Sequence, residues 1–261
     1  MLIALLTTYV VVVIRRRTAV DVQDLFDSPF SDDDLRSLHL TLSAVLEELN
    51  RLNITYFMVS GTLLGSYRHH GRIPWDDDVD LMVNSSHKEL VWRTLSALFP
   101  DYGLFLSGDF DSPFHWKVYP RQHGRPVPLK PFRWPFVDLL FFRENLTHVW
   151  NESPWFGRER WRRSAVFPLR RRPFDAFQIP APCDVESVLG ENFDASVCIS
   201  RDWTHVYDLP MWGLSATVHC SSLADRHPMV MRHPGRDVRL VKESLVLANR
   251  TLRSVLLSNG C

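Results

Sequence analysis

The chain has 261 residues, 45% hydrophobic and 23% charged, a globular composition that excludes a disordered or low-complexity chain. Lys plus Arg (30) equals Asp plus Glu (30), so the formal net charge is zero and no overall field argues for nucleic-acid binding. This length holds one large domain or two small ones.

Residues 1–17 carry an apolar run from Leu2 to Ile14, then Arg15-Arg16-Arg17. As a helix that run reaches about 20 Å, short of the roughly 30 Å hydrocarbon core. A signal peptide would place its basic residues before the run, and basic residues after it would hold the domain in the cytosol. Five Asn-x-Ser/Thr sequons, at Asn53, Asn84, Asn145, Asn151 and Asn249, point instead to a secretory lumen. Residues 1–17 therefore read as a truncated or weak signal anchor, with residues 2–14 in contact with the membrane. The expected location is the Golgi or ER lumen, with a cytoplasmic protein as the alternative.

Residues 18–30 read as a linker. Ser31 with Asp34 is a capping-box pattern. Leu35, Leu38, Leu42, Val45, Leu46 and Leu49 recur at helical spacing, so 32–52 is an amphipathic helix. Thr55–Ser60 is a short buried strand broken by Gly61, Thr62–His69 is a short helix, and Gly71 with Pro74 marks a turn. Val79–Val83 is a strand and His87–Leu98 a helix ending before Pro100. Phe114–Tyr119 and Phe136–Phe142 are strands separated by a proline-rich loop. Through 144–182 the pattern weakens; a short helix fits Asp184–Leu189 and a final helix fits Asp237–Leu257. This order predicts an α+β fold, a mixed β-sheet flanked by helices over 31–210, then a loop-rich C-terminal extension over 211–261. Cys183, Cys198, Cys220 and Cys261 form no Cys-x-x-Cys pair, which argues against a local zinc knuckle. Their spacing suits one or two disulfides as well as free buried thiols.

The most informative stretch is Ser60–Val83, SGTLLGSYRHHGRIPWDDDVDLMV, with carboxylates at Asp76, Asp77, Asp78 and Asp80. Residues two apart share a strand face, so Asp78 and Asp80 point one way while Val79, Leu81 and Val83 enter the core. Asp76 joins that face if the extended backbone begins early. Carboxylates on one face repel each other, and a hard divalent cation, Mg2+ or Mn2+, relieves the repulsion. A solvated acidic loop fits poorly between Ile73-Pro74-Trp75 and a core strand. An EF-hand is excluded, because Leu81 and His87 stand where its loop needs glycine and glutamate. Asp138 lies within the apolar strand Phe136–Phe142, and a buried carboxylate needs a partner. That partner is either a metal shared with Asp78 and Asp80 or an arginine. Upstream, Gly61-Thr62 stands at a strand-to-helix junction, where backbone N–H groups and a glycine suit a phosphate.

These residues resemble the LicD family, which includes bacterial phosphocholine transferases, fukutin and fukutin-related protein. The shared pattern stands at Gly61–Gly65, Arg68–Gly71 and Ile73–Asp80, and Phe136–Phe142 is similar to the family's later strand with its single aspartate. Phe167-Pro168-Leu169 and the segment from Ile179 to Leu189 match more loosely, so the resemblance covers roughly residues 35–205. It implies a nucleotidyltransferase fold and a CDP-activated donor. A phosphocholine- or ribitol-phosphate-like group would pass to a hydroxyl of a glycan, glycoprotein or polyol, releasing CMP. Asp76, Asp78, Asp80 and Asp138 would be catalytic, with Mg2+ or Mn2+ on Asp78, Asp80 and Asp138. Gly61 and Thr62 would cradle phosphate, and Arg68 and Lys117 are further phosphate contacts or surface charges.

The arginines at 158, 160, 162, 163, 170, 171 and 172 suit either a grip on an acidic acceptor or a solvated hairpin. Trp203 and His205 are candidates for the neighbourhood of the site, with a packed tryptophan and a satisfied histidine as the safer reading. Two alternatives stay open: a catalytically silent sugar-nucleotide-binding or scaffold member of the family, and a glycosyltransferase using Asp78-Val79-Asp80 as a DxD motif.

Overall fold

The computed structural model describes residues 21–108, 113–153, 159–190, 193–211, 213, 215–235, 237, 240–258 and 260–261. The expected anchor at 1–17 and Arg158 lie outside the described residues. In chain order the elements are α1 (Asp32–Arg51), β1 (Tyr56–Met58), α2 (Ser60–His69), β2 (Val79–Asn84), α3 (Lys88–Ser96), β3 (Tyr102–Gly108) and β4 (Pro113–Pro120). They continue with β5 (Arg125–Pro126), β6 (Arg133–Trp134), β7 (Val137–Glu144), β8 (His148–Asn151), β9 (Arg160–Arg162), α4 (Arg163–Val166), β10 (Arg170–Phe174), β11 (Phe177–Ala181) and α5 (Val185–Leu189). Last come β12 (Val197–Ile199), β13 (Trp203–Thr204), β14 (Leu209–Pro210), β15 (Thr217–His219), β16 (Met229–Pro234), β17 (Leu240–Leu247) and β18 (Arg250–Ser258).

The fold is α+β, with a mixed sheet flanked by helices. Seven strands run in the order β1-β2-β7-β4-β3, with β8 beside β7 and β9 beside β8. β2 and β7 are parallel; β7 and β4 are antiparallel. A parallel pair needs a long crossover, here everything from α3 to β6. β7 reads as a continuous apolar run because both its faces are covered: Val137, Leu139, Leu140, Phe141 and Phe142 are all buried. The capping box of α1 forms as expected, Ser31 Oγ accepting from Asp34 N–H and Asp34 Oδ2 from Ser31 N–H. The stripe Leu38, Leu42, Val45, Leu46 and Leu49 is buried, and α1 packs on β4 and β7. Each such side chain contributes about 1.5–3 kcal/mol of transfer free energy. α2 packs on β2, which sets up the site below.

The structure corrects several expectations. Asp237–Leu257 is no helix: β17 and β18 form a hairpin that β16 extends to a three-stranded sheet. Ala248 (φ 46°) and Asn249 (φ 66°) take the left-handed backbone that a two-residue hairpin turn requires and a helix forbids. The extension is therefore sheet-rich, not loop-rich. Residues 21–30 are no loose linker, because Phe26 meets Trp75 edge-on at 4.9 Å and Phe30 stacks on Trp134 at 4.7 Å. The region 144–182 holds β8 to β11 and α4, elements of five residues or fewer and too short for periodicity to register. All four cysteines are paired, Cys183 with Cys261 and Cys198 with Cys220, so the free-thiol alternative falls.

A buried ion network ties this C-terminal sheet to the rest. Glu243 on β17 is 1% exposed; its carboxylate accepts from His70 Nε2 (2.8 Å) and Arg172 Nη2 (2.8 Å), with Arg232 Nε at 3.1 Å. Burial alone would raise its pKa, but the His70 hydrogen bond and the two guanidinium charges outweigh burial and hold it down to about 2. Its folded pKa lies below the ordinary glutamate value of 4.5, so its stabilisation is complete above 4.5 and is lost as pH falls towards 2. Unfolding free energy should rise with pH across that window, and Glu243→Gln should flatten the rise. An unchanged slope in urea titrations of the variant would dismiss the network as the cause.

Candidate active site

Strand register builds the site. β2 and β7 place Asp80 opposite Asp138, and β7 and β4 place Asp138 opposite Lys117. Paired residues project from the same face of a sheet, and Asp78, two residues before Asp80, joins them. One carboxylate oxygen each from Asp78, Asp80 and Asp138 lies within 4.8 Å of the other two. Asp138 is buried, while Asp78 and Asp80 are partly open. The N–H of Asp80 donates to Thr62 Oγ1 at 2.7 Å, pinning β2 to α2.

The alternation of an extended backbone divides the acidic run. Asp77 points away from the cluster and is fully buried, accepting from His205 N–H (2.8 Å), His205 Nδ1 (2.8 Å) and Arg201 Nη1 (3.1 Å). Burial pulls its pKa up, but His205 and Arg201 outweigh burial and hold it low. His205 Nε2 stands 3.4 Å from Asp78, so the ring bridges two aspartates. Burial lowers the His205 pKa, yet Asp78 and Asp77 lift it to about 10, and the ring is charged at neutral pH.

The cluster itself carries excess negative charge. Burial first, then Asp78 and Asp138, raises Asp80 well above the usual carboxylate range. Burial, then Asp78 and Asp77, pushes Asp76 up to about 8, and burial also raises Asp78 against the pull of His205. Three convergent oxygen donors with unrelieved repulsion are a donor set that suits a hard divalent cation. Asp138 has a cation already: Lys117 Nζ lies 3.0 and 2.8 Å from its two oxygens and 3.6 Å from the Phe136 ring centre. The partner is thus a lysine, not the arginine considered from sequence.

The other expected residues fall into place unevenly. A Cβ on Gly61 would meet Asp76 Oδ2 at 2.5 Å, so glycine is needed here for the close approach of Asp76 to α2. Before it, Ser60 takes φ 51°, a left-handed conformation costing roughly 1–3 kcal/mol. Gly61→Ala should therefore displace Asp76 and lower turnover by about 10–100-fold, the scale of lost positioning, with thermal stability little changed. Wild-type turnover in that variant would remove Asp76 from the mechanism. Thr62 is buried with its hydroxyl on Asp80, so it positions β2. Arg68 and Lys117 are both buried, so neither is the surface charge held open as an alternative.

Three of the described arginines in this group have partners of their own. Arg163 pairs with Glu144, Arg172 with Glu243, and Arg171 donates to the carbonyl of Gln178. Trp203 is 40% exposed rather than packed. Arg201 is the residue sequence reasoning missed, whereas His205, a candidate neighbour of the site, is part of it: both lie more than a hundred residues from Asp76–Asp80, and no local spacing marks them.

A family model described as LicD/FKTN/FKRP, nucleotidyltransferase domain, matches residues 53–184, half of the chain. The chain belongs to the LicD family. The matched span carries every expected aspartate; His205 and Arg201 lie beyond it. An uncharacterized protein of Rickettsia typhi is 45% identical over 157 residues, covering 59% of this chain and 44% of that protein. The lipopolysaccharide cholinephosphotransferase LicD of Haemophilus influenzae is 50% identical over 51 residues, 20% of this chain and 18% of that protein. The chain thus spans less than half the length of these curated relatives. Family membership supports a phosphotransferase-type activity in general terms.

Proposed function

We propose that this LicD protein has a nucleotidyltransferase-type fold and transfers a phospho-alcohol group, phosphocholine- or ribitol-phosphate-like, from a CDP-activated donor to a hydroxyl of a glycan or polyol. The observation that carries the reading is the convergence of Asp78, Asp80 and Asp138 from neighbouring strands to within 4.8 Å. Mg2+ or Mn2+ held there would supply positive charge for the donor diphosphate. The acceptor oxygen bonds to the phosphorus that bears the alcohol. The bond from that phosphorus to the bridging oxygen breaks, and CMP leaves with its electron pair. Asp76 is the better-placed base for the acceptor proton: no cation pairs with it among the described residues, whereas Lys117 holds both oxygens of Asp138. Charged His205 keeps Asp78 oriented, and Thr62 fixes the start of β2.

The test is CMP release from CDP-choline and CDP-ribitol, with a mixed glycan acceptor, in Mg2+ or Mn2+ and in chelator. Release that needs metal supports the reading; release of UMP or UDP from UDP-sugars instead would favour the DxD glycosyltransferase. The Lys117–Asp138 pair favours one second reading, a silent family member in which lysine replaces the cation, and binding of neither metal nor CDP-alcohol would move the account there.

The pairing of all four cysteines supports an oxidising compartment such as the Golgi or ER lumen. Among the described residues no helix is long and apolar enough to cross a membrane. Asn53, Asn145 and Asn249 are exposed, whereas Asn151 is buried and donates to Glu159. Glycopeptide mapping of the secreted protein should find glycan on exposed sequons and none on Asn151; a protein without any glycan, with reduced cysteines, would place it in the cytosol.

A further inference from the structure

Beside the aspartate cluster lies a cavity of about 540 Å³, lined by Arg68, Trp75, Asp76, Ile199, Ser200 and Arg201 among others. Its polar groups are not a random surface. Arg68 is 5% exposed, yet no carboxylate among the described residues forms an ion pair with it. Its Nε donates to His69 Nε2 at 2.9 Å, and its Nη1 donates to the carbonyl of Val197 at 2.9 Å and approaches Cys220 Sγ at 3.4 Å. His69 can accept because it is neutral: its Nδ1 bonds the carbonyl of Pro228 at 2.7 Å, and burial drives its pKa down to about 3. None of these partners carries negative charge, and Nη2 makes no hydrogen bond among the described residues. Asp76 and Asp194 act on the guanidinium only through space. A buried, unpaired cation is costly to keep. Arg201, across the cavity, holds Asp77 with Nη1 while its buried Nε has no partner.

We propose that this cavity seats the acceptor, and that the acceptor carries an oxyanion, a phosphate or carboxylate, bound by Arg68 with help from Arg201. The assignment to the acceptor rests on the transferase reading above: Asp76 lines the cavity, so the molecule held there is the one whose hydroxyl faces Asp76. Ser200 and the neighbouring carboxylates suit the remaining hydroxyls of a polyol or sugar, while Trp75 and Ile199 supply apolar wall. The Cys198–Cys220 disulfide ties β12 to the turn that follows its partner strand β15 and so fixes the wall that carries Val197 and Ile199. Arginine's planar fork is the chemistry that recognises such an oxyanion.

The test needs neither metal nor turnover. Thermal unfolding of the whole chain is followed with inorganic phosphate and glycerol 3-phosphate, against chloride at matched ionic strength and glycerol. At a tenfold excess over Kd, either phosphate should raise Tm by about 2–4 °C, and glycerol should not. Arg68→Met should lose the shift, and Arg68→Lys should keep part of it. A folded baseline for both variants, read from the same melts, separates lost binding from lost structure. Equal shifts in wild type and Arg68→Met, or no shift in wild type, overturn the proposal. CDP-choline with Mg2+ should leave the phosphate shift intact; competition between them would assign the oxyanion to the donor and overturn the acceptor assignment. Absence of CMP release with the Arg68-dependent shift intact would count against the transferase reading alone.

Discussion

Asp80→Asn is expected to lower metal-dependent CMP release by roughly 10³-fold, the scale on which one preorganised electrostatic group acts. Asp80 is the middle carboxylate of the cluster, raised by burial and by both Asp78 and Asp138. Removing its charge relieves that repulsion, so the metal-free variant should melt higher than the wild type while its stabilisation by Mg2+ disappears. For the wild type, a cation at a hundredfold excess over Kd should add about 2.7 kcal/mol of stability. The pH dependence has a definite sign. Asp78 and Asp80 both have raised pKa values, so protons compete with the cation, and Mg2+ affinity should strengthen as pH rises. Isothermal titration from pH 6 to pH 8 reads it; flat affinity would remove these carboxylates from the metal site.

Lys117→Met separates the two roles of Asp138. Both partners are buried, and the ammonium sits between the carboxylate and the Phe136 ring. Breaking such a pair from one side leaves an uncompensated charge and costs about 3–5 kcal/mol. Tm should fall by roughly 10 °C in chelator. In saturating Mg2+ the deficit should shrink, because the cation then neutralises Asp138. An equal loss of Tm in chelator and in Mg2+ would show that Asp138 is held by lysine alone and is not a ligand.

The parts of the site legible in sequence were those fixed by local backbone geometry. Asp78 and Asp80 share a face because strand periodicity is two, and Asp138 announced itself as a lone carboxylate in an apolar strand. The helix at 32–51 was readable because twenty residues repeat its stripe and a capping box marks its start. What failed were long-range relations. Lys117 meets Asp138 only through the β4–β7 register, and His205 reaches Asp77 and Asp78 only through the path of the chain after α5. Arg68 stayed open between a phosphate contact and a surface charge, because nothing local reveals that β12 and the Cys198–Cys220 bridge cover it. The C-terminal hairpin was mistaken for a helix because leucine and valine repeats fit both periods, and only the left-handed pair Ala248-Asn249 decides between them.

Crystals grown with Mn2+ and measured at its absorption edge test the central claim most directly. One anomalous peak is expected among Asp78, Asp80 and Asp138, at about 2.1 Å from an oxygen of each, and lost in Asp80→Asn. A peak elsewhere, or none at saturating Mn2+ with Lys117 still on both oxygens of Asp138, would contradict a metal-dependent transferase.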